Sequence, residues 1–315
     1  MEVITSSKRG GLFASRTRWA RRIVLCTIYE LTISCVFSPG AHAVNTNSGD
    51  YIALPEGTNL LIGYLNFSHA NGYSAPETGK VNARLDSEVG LLRYVHYTKI
   101  YGLTIDPQFI IPFGTINNVN IDGQHLNHAF GAGDPIIACT IWPVNRPATK
   151  TYLGITPLLT IPLGQYNSNQ AINFGGNRWS GNLQAGFQTA LASSGVGNRI
   201  RVQLYGDLYV YGNNNRASGH HTLSQNNVWQ FQPFLTYDLE PTQNVSFGMS
   251  FWWGGRQYID RMFNGTRTRE TAIRFEYQKL FAKTWQITFQ VTHDLDSRDN
   301  FRQDIGVNAR ILKIF

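Results

Sequence analysis

The ionisable side chains of this 315-residue chain tend to fall at every second position of alternating stretches. Arg84, Asp86 and Glu88 do so, and so do Glu270, Arg274 and Glu276. Asp106, Arg178, Arg201, Asp207, Asp238, Asp294 and Arg310 share the polar side of similar stretches, and Trp252 is the member of Phe251-Trp252-Trp253 on that side. Groups two residues apart on a strand line one face. Facing a common interior, they make a charged, hydrogen-bonding path for a solute. Paired with one another, they only support a wall. Both readings stay open here.

Covalent chemistry finds less support. A nucleophilic Ser needs a His held by a third group, and no G-x-S-x-G elbow is present. His293 and Asp294 are adjacent on an alternating stretch, so they point to opposite faces and form no dyad. The sequence therefore points away from an enzyme. His125 and His128 could gather with His220 or His221, but no carboxylate or Cys in these loops completes a ligand set. No metal and no cofactor is expected.

The elements that hold these residues read as strands. In the hairpin Thr151–Leu191, Leu153, Ile155, Leu159 and Ile161 oppose Gly154, Thr156 and Thr160. On its second arm Leu183, Ala185, Phe187 and Leu191 oppose Asn182, Gln184, Gly186 and Gln188. Such alternation is a strand signal, and each arm has the roughly 9 to 11 residues that span a bilayer as a tilted strand. Twelve such segments can be marked: Thr58–Ser68, Val81–Tyr97, Lys99–Ile111, Pro135–Trp142, Thr151–Ile161, Trp179–Leu191, Arg199–Tyr211, Asn227–Leu239, Asn244–Trp253, Thr268–Leu280, Thr284–Asp294 and Asp304–Phe315. Long connections, such as Pro112–Asp134, Pro162–Arg178 and Gly254–Arg267, alternate with short ones, such as Glu240–Gln243 and Phe281–Lys283. His69–Lys80 and Leu295–Gln303 also read as long loops.

An even strand count with alternating loop lengths is the layout of a bacterial outer-membrane barrel. The polar faces carry Gln, Arg and Asp, costly in a dry core, so the apolar face belongs against lipid and the polar face against a lumen. The fold expected is all-β, a transmembrane antiparallel β-barrel of about twelve strands. Tyr101, Trp142, Tyr152, Trp179, Tyr211, Trp253 and Trp285 suit the interface girdles. The strand ending in Phe315 resembles a substrate of the outer-membrane assembly machinery, although Lys313 departs from that pattern.

Lys8, Arg9, Arg16, Arg18, Arg21 and Arg22, the apolar run Ile23–Phe37 and the A-x-A site Ala41-His42-Ala43 read as a signal peptide over residues 1–43. Without it 21 Lys/Arg face 18 Asp/Glu, a net +3 in place of +7. That small excess is no argument for nucleic acid. Cys139 then stands alone, so an intrachain disulfide is excluded. Residues 44–57 are assigned to a periplasmic N-terminal segment and 58–315 to the barrel.

Ile161-Pro162-Leu163-Gly164-Gln165-Tyr166, followed by Asn173 and Gly176-Asn177-Arg178-Trp179, resembles the P-x-G-x-Y … N-x-G-x-N-R-W run of the "MetA-pathway of phenol degradation" family. Gly131-Ala132-Gly133-Asp134 is similar to its G-x-G-D, and Gly175-Gly176 is a small departure. The resemblance covers roughly residues 55–315. It implies an outer-membrane barrel that takes up aromatic or other hydrophobic compounds, with no enzymatic activity.

The reading is a passive channel whose partners are outer-membrane lipid and a small hydrophobic or aromatic solute. The alternative is a structural or adhesive barrel with a closed lumen and partner-binding loops. Phe113–Gly133 is long enough to fold inward as a constriction, and Pro107, Pro157 and Pro233 each remove a ladder donor where a wall could part.

Overall fold

The computed structural model describes residues 45–75 and 79–315; the signal peptide assigned to residues 1–43 lies outside them. Twelve long antiparallel strands form the wall. They are β1 Asn59–Ala75, β2 Gly79–His96, β3 Leu103–Ile121, β4 Ile136–Arg146, β5 Thr151–Thr160 and β6 Ser180–Ala190. The rest are β7 Ile200–Tyr211, β8 Val228–Glu240, β9 Gln243–Gly254, β10 Thr268–Phe281, β11 Trp285–Arg298 and β12 Phe301–Ile314. Each pairs with its neighbour in sequence, and β12 returns to β1. Leu60 pairs Ile314 and Phe67 pairs Val307. Asn59 and Phe315 seal the seam by exchanging both backbone bonds, at 2.8 and 3.0 Å. Closure leaves no edge.

Side chains alternate as the pleat requires. On β11, Phe289 and Val291 face outward while Thr288 and Gln290 are buried within. On β7, Leu204 and Val210 face outward; Arg201, Gln203, Tyr205 and Asp207 are buried. Lys313, the departure in the last strand, lays its ammonium 4.8 Å over the Trp285 ring and donates to Thr284 Oγ1 at 2.8 Å. It snorkels along the wall and anchors that end.

Two expected loops are mostly strand. β1 and β2 run on to Ala75 and Gly79, and β11 and β12 turn between Arg298 and Phe301. Polar Asn, Ser, Asp and Arg there disguise strands that have left the bilayer and need no apolar outer face. Phe113–Gly133 is likewise no inward plug: β3 continues to Ile121, and the chain returns antiparallel through Gln124–His125 and Ala129–Ala132. Of the three prolines, Pro157 and Pro233 sit where the β4–β5 and β8–β9 registers skip residues, consistent with a missing donor. The opposite sides of both strands stay paired, so the wall remains closed.

The chain from Gly212 to Asn226 and that from Gly255 to Arg267 build a small second sheet. Its strands are Asn214–Ala217, His221–Gln225, Gln257–Ile259 and Met262–Phe263. Buried Ala217 and Leu223 form its core, against Tyr166 and Ile259. No helix among the described residues is long and apolar enough to cross a membrane.

Phe289 is 51% exposed on the outer face, four residues in from Trp285. Phe289→Arg should destabilise the barrel by about 2–4 kcal/mol, the range for Arg near a bilayer midplane. Denaturant unfolding from lipid vesicles measures it.

Candidate functional site in the barrel lumen

The lumen is built unevenly around the ring. Across β5–β11 its face is polar, with buried Thr156, Gln203, Asp207, Gln230, Gln232, Arg274 and Gln290. Across β1–β3 it is largely apolar: Leu60, Ile62, Leu91, Val95, Ile110 and Ile116 are buried inward. Two cavities occupy the interior. The outer one, 290 Å³, has Val89, Leu91, Ile110 and Ile116 on one side and Glu270, Gln290 and Asp294 on the other, with Trp252 and Arg178 among its walls. The inner one, 380 Å³, is lined by Leu60, Ile62 and Val95 together with Gln184, Gln188, Arg201 and Asp238. Both are bounded by Asn45, Arg93 and Ile110.

Between the cavities lies the chain N-terminal to β1. Residues 44–57 are expected as a periplasmic N-terminal segment; residues 45–54 line the lumen, turning at Ser48–Tyr51. Ser48 N and Asn47 Nδ2 donate to Glu276 at 3.1 and 2.7 Å, and Gly49 N donates to Gln203 Oε1 at 2.6 Å. Arg310 Nη1 meets Asp50 Oδ1 at 2.5 Å. Tyr51, 3% exposed, packs its ring 5.6 Å from Trp142 and 5.3 Å from Tyr205, and its hydroxyl reaches Thr156 and Gln184. The seat for that ring is a cross-strand glycine pair, Gly154 and Gly186. A Cβ on Gly186 would stand 2.2 Å from the Tyr51 ring, and one on Gly154 2.7 Å. These glycines looked like ordinary polar-face positions; only the opposing ring reveals their purpose.

The sequence-derived residues divide into three groups. Asp106, Arg201, Asp207, Asp238, Trp252, Glu270, Arg274, Glu276, Arg310 and Asp294 do face the lumen. Most carboxylates among them are held by amides rather than by arginines. Asp207 accepts from Asn182, Gln184 and Gln232 at 2.7 to 3.1 Å. Asp106 accepts from Gln108, the Thr140 amide and the Trp142 indole. Asp238 bridges Lys150 and Arg201 at 2.9 and 2.8 Å. Each such bond is worth about 1.5–3 kcal/mol, and together they keep buried charge tolerable.

Arg84, Asp86 and Glu88 require a correction: they point outward, and Leu85, Ser87 and Val89 face the lumen in their place. Asp86 there meets His69 at 2.5 Å, Arg84 at 3.0 Å and Asn118 at 2.6 Å. That part of β2 stands beyond the bilayer, where outward charge meets water. The polar-inside rule fails there. The missed lumen cation is Arg93 on the same inner face, bonded to Gln108 at 2.6 Å and to the Tyr64 hydroxyl at 3.3 Å. Its parity with Leu91 and Val95 hid it among apolar residues.

Arg178 sits at the outer end of the lumen, 4.5 Å over the Tyr211 ring, with Nη2 donating to Gln225 at 2.6 Å. The motif residues around it tie loops together. Asp134 accepts from the Gly164 and Gly176 amides, both at 2.7 Å. A Cβ at Gly164 would lie 2.6 Å from Gly133, and one at Gly175 2.7 Å from Gly164. Burial raises the Asp134 carboxyl above its ordinary value, with those amides opposing. Tyr166 accepts from Asn214 at 2.9 Å and donates to the Arg216 carbonyl at 3.0 Å. His293 faces outward, 2.5 Å from the Asp304 carbonyl, and Asp294 faces inward, so the two stay apart. Of the loop histidines, His128 stacks on Phe130 and His221 pairs with Asp260.

The profile of the family described as "MetA-pathway of phenol degradation" matches residues 66–311. The chain belongs to that family. Its fold is shared with the crystal structure of an outer membrane channel from Pseudomonas putida F1, 29% identical, with a TM-score of 0.79 over 86% of this chain and 100% of that one. The β domain of a Bordetella autotransporter shares the barrel alone, at 9% identity and a TM-score of 0.50 over 82% of this chain and 100% of the other. No curated protein matches the sequence significantly. This chain is accordingly an outer-membrane β-barrel.

Gly186→Val should evict Tyr51 and loosen the turn. Single-channel conductance should rise severalfold, approaching that of a form lacking residues 45–54. In the outer sheet, Asp260 accepts from the Thr222 amide at 2.9 Å and from His221 at 2.6 Å, which lowers its pKa. A lowered carboxylate pKa stabilises the fold above the unfolded value, about 3.9, and that stability is lost as pH falls through the folded value. The Thr222 amide shift should therefore titrate with a midpoint below 3.9, and Asp260→Asn should abolish the titration.

Proposed function

We propose that this barrel is a passive, non-enzymatic channel through which small hydrophobic or aromatic compounds, of the kind consumed in phenol degradation, cross the outer membrane. The observation that carries the reading is the split lumen: an apolar wall from β1–β3 faces a polar wall of Glu270, Gln290, Thr292 and Asp294 from β10–β11 around the outer cavity. A porin for hydrophilic solutes has no use for Val89, Leu91, Ile110 and Ile116 on its inner surface. A one-ring solute does, because its ring is desolvated on that side while its polar substituent bonds the other. A cavity of about 150 Å³ already accepts benzene, so 290 Å³ suffices for a substituted ring. The family's description and the channel from Pseudomonas putida F1 support the same direction.

The solute enters the outer cavity, rests against the apolar sector, and passes the turn at residues 45–54 into the inner cavity. Arg93 and Asn45, which border both cavities, flank that passage. The second reading, a structural or adhesive barrel with a shut lumen, is favoured by the density of bonds that the turn makes to Glu276, Gln203 and Arg310.

Proteoliposome flux separates the two. The channel reading expects phenol or toluene to equilibrate faster across vesicles holding the protein than across empty ones. Equal rates would favour the structural reading. Leu91→Asn, which removes apolar surface without adding charge, should slow aromatic flux about tenfold, equivalent to about 1.4 kcal/mol, while leaving small-ion conductance nearly unchanged.

A further inference from the structure

The outer surface carries a cluster that transport through the lumen does not use. Cross-strand register sets Trp229, Trp253, Arg269 and Arg298 side by side across β8, β9, β10 and β11. The two indoles are 45% and 46% exposed, where an interface girdle belongs. Beside them the two arginines stand directly opposite each other, an arrangement that destabilises a strand pair. Asp296 relieves Arg298, at 3.2 Å, but Arg269 has no ion pair among the described residues.

A surface recess of 760 Å³ opens at this point, with Trp229, Trp253, Arg256, Arg267 and Arg269 among its walls. Arg256 is held 5.2 Å over the Phe263 ring, and Arg267 donates through Nε to Asp299 at 2.7 Å. Each keeps further N–H groups for another acceptor, because a guanidinium carries five. The recess lies at the end of the barrel that bears the long loops, which is the extracellular end. It is therefore level with the headgroups of the outer leaflet.

Planar guanidinium forks match phosphate oxygens. Arginines alone would suit any soluble anion. The exposed indoles, and the stacked Phe231 and Phe251 that continue the outward face toward the hydrocarbon, suit an amphiphile with acyl chains. We propose that this recess binds lipid A, the phosphorylated glycolipid of the outer leaflet. One phosphate sits among Arg256, Arg267 and Arg269, and an acyl chain runs along Trp229, Trp253, Phe231 and Phe251. A bound phosphate also supplies the counter-charge that Arg269 lacks.

Native mass spectrometry of the folded protein with bis-phosphorylated lipid A, dephosphorylated lipid A and phosphatidylglycerol tests this. Lipid A should be retained as a single adduct, and Arg256→Gln/Arg269→Gln should weaken it by about tenfold or more, a loss near 1.4 kcal/mol. Arg84→Gln, which removes an exposed outward arginine elsewhere, should retain full binding. Heat-modifiable gel mobility establishes that each variant is folded. Equal retention by the double variant would overturn the proposal, as would phosphatidylglycerol binding as well as lipid A. Full displacement by inorganic phosphate would do the same, reassigning the recess to a free anion.

Discussion

The hydrocarbon core of a membrane offers a backbone no hydrogen-bond partner, so a chain that crosses it as strands must close on itself. Here the closure is the β1–β12 ladder, sealed at Asn59 and Phe315. The remaining architecture follows from it. Outward positions meet lipid and carry Leu65, Phe67, Phe247, Phe275 and Phe289. Inward positions are cut off from bulk water yet carry amides and charges, so they must find partners across the lumen.

Twelve strands enclose more space than their own side chains fill, since filling is complete only near eight. The remaining volume is partly taken by residues 45–54: backbone N–H groups of Ser48 and Gly49 donate to Glu276 and Gln203, and the Ser48 carbonyl accepts from Gln278. The turn thus serves two physical needs: it supplies hydrogen bonds to a wall that would otherwise bury them unmet, and it divides the interior into two cavities. Its hold is polar and distributed, apart from the Tyr51 ring seated on Gly154 and Gly186.

Division of the lumen into an apolar and a polar sector is equally a matter of chemistry. Amides from Gln184, Gln232 and Asn182 satisfy Asp207, and Arg93 meets Gln108 and Tyr64 before any carboxylate. Neutral amides satisfy these buried groups without adding further charge to the lumen. Apart from Arg178, the motif residues frame the mouth and do not line the cavities. Asp134, Gly164, Gly175 and Gly176 bind the outer loops to one another, so they govern how the mouth is framed.

The sequence by itself determined the strand number, the antiparallel meander, the lipid-facing residues of β5–β11 and the membrane that receives them. A period of two is local, and each such strand carries it unaided. Tertiary structure decided three other matters. In β2 both faces mix apolar and charged residues, and a period of two names two faces without saying which is inside; register with β1 and β3 turned Leu85 and Val89 inward and Arg84, Asp86 and Glu88 outward. The strand extensions at His69–Ala75 and Pro112–Ile121 lost their alternating apolar signal because, beyond the bilayer, the outward face meets water and needs no apolar side chains, while Ala70, Tyr73, Ile116 and Val119 stay buried inward. Residues 45–54 have no period to read. Their place was fixed by contacts with Glu276, Gln203, Arg310 and the Gly154–Gly186 seat, partners more than a hundred positions away, which come together only once the barrel has closed.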